Sequence, residues 1–425
     1  MTDIQWATDI VAKSRVAVRK TWERAALIRR HNQRRVLAAF RRAQVSEYHL
    51  AGTTGYGYND PAREALEQIY ADVFATESAL VRPQVVSGTH AISASLFGLL
   101  RPGDELLSAT GPPYDTLQRI IGGPGRSMQD WGITYQECPL TPEGTIDIEK
   151  VTASISPNTR VVMLQRSRGY SLRRSLTAAE IGDAVRAIKA AAPDTICFVD
   201  NCYGEFVEEV EPTHFGVDLM AGSLIKNPGG TLAPAGGYVV GRADLIDRVA
   251  DEITAPGLGA RVGPMLGVGR LLLQGFYFAP LLVCEAVCSA SLAAHVFASL
   301  GYSVSPRWDE VRGDTVQVIV LESREALLRF CQAVQAASPV DSTARPIPDE
   351  LPGYTHHVIM AAGTFVQGSS SELSADGPLR PPYAVFMQGT ISRDQTEVAL
   401  ETALCSLAAH GLLQNAALSA SARMR

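Results

Sequence analysis

Of the 425 residues only five are lysines: Lys13, Lys20, Lys150, Lys189 and Lys226. Four have ordinary explanations. Lys13 and Lys20 lie in an arginine-rich N-terminal stretch, Lys150 follows Asp147 and Glu149, and Lys189 ends an amphipathic pattern where a cation suits the helix macrodipole. Lys226 stands apart. The run Gly222-Ser223-Leu224-Ile225-Lys226-Asn227-Pro228-Gly229-Gly230 sets it at an apolar strand end ahead of glycines, with no carboxylate beside it in sequence. Such an amine is expected to be partly desolvated, with a depressed pKa, and ready to attack a carbonyl.

Twenty-six residues earlier, Ile196-Cys197-Phe198-Val199 delivers Asp200 to a strand end, the edge where parallel sheets bind ligands. A carboxylate there can keep an aromatic ring nitrogen protonated, although an N-cap for the following segment is the alternative. Phosphate recognition needs backbone N–H groups and hydroxyls at a helix start, and Ser87, Gly88 and Thr89 supply both. A Ser-Gly-Thr turn alone is mostly a cap. Ser223, three residues before Lys226, offers another hydroxyl to the same anion. Tyr114, in the rigid Gly111-Pro112-Pro113-Tyr114 approach, suits stacking on a flat ring or packing in the core.

The elements that must position these groups alternate. Strand patterns fall at 81–86, 105–107, 160–164, 196–200 and 237–240, with helices at 61–76, 88–100 and 177–191. That alternation predicts an α/β fold with a mainly parallel sheet covered on both faces. Before it, residues 4–42 read as a helical arm with a solvated or subunit-contacting arginine face. Beyond about residue 290 the texture changes to strands at 315–321, 357–361 and 383–387 and helices at 325–337 and 394–410, a smaller α+β domain. The expected division is residues 1–50 for the arm, 51–290 for the large domain and 291–425 for the small one. The Ala- and Ser-rich tail beyond Leu412 is expected to fray.

Composition narrows the function. A net charge of -6 with a pI of about 5.8 gives no general attraction for nucleic acid or an anionic membrane. The longest apolar stretches are broken by Gly, Pro or charge, so no bilayer span is expected. Seven cysteines without C-x-x-C spacing, and a start without a leader pattern, predict a cytoplasmic protein. Cys284 and Cys288 read as buried apolar side chains, the eight histidines are dispersed, and no metal site is expected. Residues 257–263 are glycine-rich but follow Pro256 rather than a strand, which argues against dinucleotide binding.

The order Ser-Gly-Thr, Tyr, strand-end Asp and Ser-x-x-Lys resembles the pyridoxal-phosphate enzymes of the aspartate-aminotransferase fold, fold type I, most nearly the Cys/Met-metabolism lyases such as cystathionine β-lyase and methionine γ-lyase. Gly55-Tyr56-Gly57-Tyr58-Asn59-Asp60, Pro83-Gln84-Val85-Val86-Ser87-Gly88-Thr89-His90-Ala91-Ile92, Gln165-Arg166-Ser167-Arg168-Gly169-Tyr170, Val199-Asp200-Asn201-Cys202-Tyr203-Gly204-Glu205 and Met360-Ala361-Ala362-Gly363-Thr364-Phe365 are similar to the methionine-γ-lyase-like "aluminium resistance" group. The resemblance implies pyridoxal 5'-phosphate linked to Lys226, with Asp200 on its ring nitrogen. Ser87, Gly88, Thr89 and Ser223 would hold the phosphate, Tyr114 would stack on the ring, and Tyr203 would reach the ring oxygen. It implies a homotetramer built from dimers, in which Tyr56 and Tyr58 reach a neighbour's phosphate; where the lyases place an arginine, Tyr58 stands here. Arg380 is the first candidate for the substrate α-carboxylate and Arg168 its rival.

The implied reaction is β- or γ-elimination from an amino acid, with Lys226 and Tyr114 as catalytic residues, giving ammonia and a 2-oxo acid. The lyases' Thr-Lys-Tyr is Ile225-Lys226-Asn227 here, so the leaving group does not transfer. An aminotransferase would use the same groups, and a catalytically silent regulator is the reading from another class.

Overall fold

The computed structural model describes residues 2–413; the tail expected to fray lies almost wholly outside them. Seven strands form the larger sheet: β1 (Ser78–Arg82), β2 (Glu105–Ser108), β3 (Thr134–Glu137), β4 (Thr159–Gln165), β5 (Ile196–Asp200), β6 (Leu219–Ser223) and β7 (Gly237–Gly241). Their order is β1-β7-β6-β5-β4-β2-β3, and every strand except β7 runs the same way. β5 shows why the sheet is covered on both sides. Cys197 and Val199 enter one core cluster, whereas Ile196 and Phe198 enter another on the opposite face, the period-two consequence of strand geometry.

The helices supplying those faces begin where local chemistry dictates. α3 (Pro61–Val73) has Pro at its start and Asp60 accepting from the Arg63 N–H. α4 (Gly88–Leu99) is capped by Ser87, and α7 (Ala178–Ala191) by a Thr177–Glu180 capping box. The arm is two helices, Thr2–Ala17 and Arg19–Arg42, rather than one. It is not merely a solvated arm: Ala7, Ile10 and Val11 join the small-domain core.

The largest departure from expectation is the helix Gly269–Ser299, which continues through Pro280 and across the boundary expected at 290. Its first half packs Leu272, Leu273, Phe276 and Val283 into the large-domain core, and its second half packs Leu292, Val296 and Phe297 into the small-domain core. Among the described residues it is the one helix long and apolar enough to cross a membrane, but 72% of its most apolar stretch is buried within the fold. Burial on nearly all sides explains the uniformly apolar sequence.

The small domain is antiparallel: β8 (Val304–Ser305), β9 (Gln317–Val320), β10 (Val358–Ala361), β11 (Ser374–Pro378) and β12 (Ala384–Gln388), ordered β10-β11-β12-β9-β8. β3, β8 and β11 have no counterpart among the expected strands. β11 matters most, because it carries a small-domain carboxylate to the end of the large sheet.

Candidate active site

The carboxyl ends of β4, β5 and β6 open into a cavity of about 300 Å³. Its wall includes Ser87, Gly88, Thr89, Tyr114, Asp200, Tyr203, Ser223 and Lys226. Eight of the residues singled out in the sequence therefore share one enclosure.

Each is held by local structure. The Ser87 hydroxyl accepts from the His90 N–H at 3.1 Å, fixing the start of α4. A Cβ on Gly88 would lie 2.9 Å from the Ser223 Cβ and 3.2 Å from the Cys202 Sγ, so only glycine lets the helix start approach β6 this closely. Thr89 accepts from the Tyr114 hydroxyl at 3.0 Å, and the Tyr114 N–H donates to the Gln165 Oε1 at 2.9 Å. The Tyr114 ring is thereby clamped between two strand-end loops. Burial, with the Asp200 charge nearby, raises its hydroxyl far above the ordinary range, so Tyr114 stays protonated and donates.

Asp200 is buried, and one of its oxygens accepts from the Cys202 N–H at 3.1 Å. Burial pushes its carboxyl up to about 6, against the opposing pull of that hydrogen bond and of Arg173. A carboxylate in this state gains from any cation brought against it. Tyr203 follows with φ +70°, a left-handed conformation that costs a bulky residue strain and is found where function holds it. The Asn227 amide donates to the carbonyls of Tyr203 and Glu205, both at 2.9 Å, tying the lysine's neighbour to this turn.

Lys226 lies with its amine 4.8 Å from the Tyr203 ring centroid. Its expected pKa depression is not borne out. Burial does pull the ammonium down, but Tyr203, Cys202 and Asp376 outweigh it and the net shift is upward. Tyr203 contributes most, from the turn after β5, and the smallest contribution comes from Asp376, 150 residues downstream on β11.

Two further expectations fail. Neither Arg380 nor Arg168 lines the cavity. Arg380 turns outward into a separate recess beside Pro381 and Pro382 and donates to the Tyr170 carbonyl at 3.1 Å. Arg168 is fully buried, donating to Ser305 and facing Asp314 at 3.9 Å. No arginine is among the lining residues. Tyr56 and Tyr58 lie on the surface, stacked on each other at 5.5 Å, with Tyr56 69% exposed. Within one chain they do not reach the cavity.

The sequence reading missed Gln165, Tyr170, Cys202, Tyr354, Asp376 and Gln388 on the wall. Gln165 and Cys202 lay inside quoted motifs and adjoined recognised strand ends. Asp376 and Gln388 carried no local signal.

The sheet order, with its single reversed strand, and a strand-end acid, a lysine and a helix-start cradle on one cavity define a fold type I protein of the pyridoxal-phosphate-dependent transferase class. More narrowly, a model of the methionine gamma-lyase family matches residues 7–408, and the chain belongs to that family. It is 49% identical over 384 residues to the uncharacterized protein YnbB of Bacillus subtilis, covering 89% of this chain and 91% of that one. A carbon-sulfur lyase involved in aluminum resistance from Clostridium novyi has a similar structure, with 40% identity, a TM-score of 0.90 and coverage of 94% and 96%. A Campylobacter jejuni chain bearing an N'-pyridoxyl-lysine-5'-monophosphate shares the fold at 17% identity and a TM-score of 0.59, with coverage of 83% and 88%.

Proposed function

We propose that the protein is a pyridoxal-phosphate-dependent lyase that eliminates a β- or γ-substituent from an amino acid, releasing ammonia and a 2-oxo acid. The observation carrying this reading is the meeting of the Lys226 amine, the Asp200 carboxyl and the Gly88 cradle around one cavity. Family membership and the pyridoxyl-lysine of the Campylobacter chain support it.

The residues present fit the cofactor. The first turn of α4 offers backbone N–H groups beside the Ser87, Thr89 and Ser223 hydroxyls, a site suited to phosphate. Asp200 is buried and poised to stabilise a protonated ring nitrogen. When bound, the cofactor supplies an aldehyde for the amine and a ring that accepts electron density from the substrate. The chain's own work is positional and protic. Tyr114 would cover the ring face while its hydroxyl, anchored on Thr89, donates. Lys226, displaced by the incoming amino group, would hold the proton removed from Cα. Buried aromatic walls limit water around that proton.

The α-carboxylate would meet neutral donors rather than a guanidinium, since Ser167, Tyr170, Tyr354 and Gln388 line the cavity and no arginine does. We extend the reading to a homotetramer whose subunits share sites, a reading that the exposure of the Tyr56–Tyr58 stack supports.

The deciding experiment is borohydride reduction of the cofactor-loaded protein followed by peptide mass analysis. The expected adduct lies on Lys226, with 2-oxo acid release from members of a panel of cystathionine, methionine, homocysteine and halogenated or unsaturated analogues. An adduct elsewhere, or none, overturns the reading.

A further inference from the structure

Asp376 is a cavity carboxyl that the roles above leave without a task. It is 6% exposed. Its Oδ2 accepts from the Gln388 amide at 3.2 Å, its shielded Oδ1 has no partner at hydrogen-bond distance, and the Tyr170 hydroxyl interacts with the carboxyl. Phe386, paired with Asp376 across the strand, is an apolar neighbour on the cavity wall. A carboxylate with a purely structural role looks different in this fold: Asp218 is gripped by Lys189 at 2.6 Å and Arg242 at 3.4 Å.

Five other titratable groups on the wall do not duplicate what Asp376 offers. Burial raises the hydroxyls of Tyr114, Tyr170 and Tyr354, which keeps them protonated as donors. Asp200 is committed to the ring nitrogen, and Asp115 sits half-buried at a helix start. Asp376 has an oxygen without a partner at hydrogen-bond distance, and burial pushes its carboxyl up to about 7, with Lys226 and Tyr170 pulling the other way. A group near neutrality both accepts and releases protons.

We infer that Asp376 is a second proton-transferring group, acting on the substrate side chain while Lys226 acts at Cα. The inference rests on the pyridoxal-phosphate reading and narrows it to amino acids with a leaving group X on Cγ. In the assigned step the Cβ–H bond breaks and its proton passes to the Asp376 carboxylate. The electron pair left behind becomes the Cβ–Cγ double bond, and the Cγ–X bond breaks with X keeping its pair. The carboxyl then returns the proton to X, which departs as HX, and Asp376 ends as it began.

The test uses the cofactor-loaded enzyme in deuterium oxide with L-norvaline, which lacks a leaving group, and follows proton exchange at Cα and Cβ by NMR. The wild type exchanges both positions. Asp376→Asn retains measurable Cα exchange and loses Cβ exchange by about a hundredfold or more beyond any change at Cα, and Asp376→Glu recovers part of the loss. Cβ exchange that is absent in the wild type, survives in Asp376→Asn, or falls there in step with Cα exchange overturns the inference. Absence of Cα exchange in the wild type overturns the cofactor reading as well. A second readout needs no cofactor: the wild-type minus Asp376→Asn infrared difference spectrum shows a protonated-carboxyl band at pH 6 that is gone by pH 9. Its absence at pH 6 also overturns the inference.

Discussion

Two buried polar clusters lie on either side of the turn after β5, and they are built on opposite plans. Behind the turn, the Arg166 guanidinium donates to the Asn201 side chain at 2.7 Å, the Gly204 carbonyl at 3.0 Å and Glu211 at 3.1 Å, and also to Glu208 and the Leu176 carbonyl. Burial opposes its charge, but Glu208 and Glu211 outweigh that and hold it above its ordinary value. In front of the turn, Lys226, Asp200 and Asp376 sit among neutral groups, with an orphaned oxygen on Asp376. The first cluster is satisfied and fixes the chain. The second is left incomplete, which is the condition for binding something or moving a proton. Asn201 belongs to the first and Asp200 to the second, so the frame and the cavity wall are built from adjacent residues.

The contrast can be broken from either side. The largest effect is expected from Lys226→Ala, which should reduce oxo-acid release by more than about 10⁴-fold and eliminate the borohydride adduct, while leaving the denaturation midpoint nearly unchanged. Arg166→Met should do the reverse. Stranding Glu208 and Glu211 in the interior should cost about 3–5 kcal/mol in a urea titration, and a loss below about 1 kcal/mol would erase the distinction between frame and site. Asp200→Asn comes next, with turnover expected to fall about a hundredfold and cofactor to dissociate more readily in a spectral titration.

The smallest effect concerns Glu205, beneath the floor of the cavity. Its Oε1 accepts from the Tyr238 hydroxyl at 2.7 Å and its Oε2 has no partner. Burial pushes the carboxyl up to about 8. Between its ordinary value near 4.5 and about 8, the folded chain holds a proton that the unfolded chain has released. Stability contributed by Glu205 is therefore complete below about pH 4.5 and is lost as pH rises through 8. Glu205→Gln should flatten that decline, leaving the variant more stable than the wild type at pH 9 by an amount on the order of 1 kcal/mol. Parallel melting curves across that range would show that this carboxyl does not carry the pH dependence.

The parts of the site that were legible in sequence are those whose chemistry and position come from the same few residues. Asp200 ends an apolar strand, Ser87 to Thr89 begin a helix, and Lys226 stands before glycines; each pattern holds both the element and the functional group. Asp376 was hidden because Ser374–Pro378, with glycine and proline in it, reads as a loop and becomes a strand only through pairing with β10 and β12. Arg380 misled for the converse reason. Its type suits a carboxylate, but it follows the end of β11, and the turn whose Tyr383 has φ +57° carries it outward. The long helix was obscured by Gly275 and Pro280, residues that end isolated helices but are tolerated where packing surrounds them.

That helix meets the lysine's turn without any side chain between them. A Cβ on Gly275 would come within 2.1 Å of the Gly229 carbonyl oxygen, and one on Gly230 within 2.0 Å of the Gly275 carbonyl oxygen. The turn that carries Lys226 is thus seated on the same helix whose far end is embedded under the sheet that carries Asp376. The span across the cavity is gauged by one continuous rod instead of a hinge, and a single methyl group added at that seat would displace the Lys226 turn without touching any residue of the cavity wall.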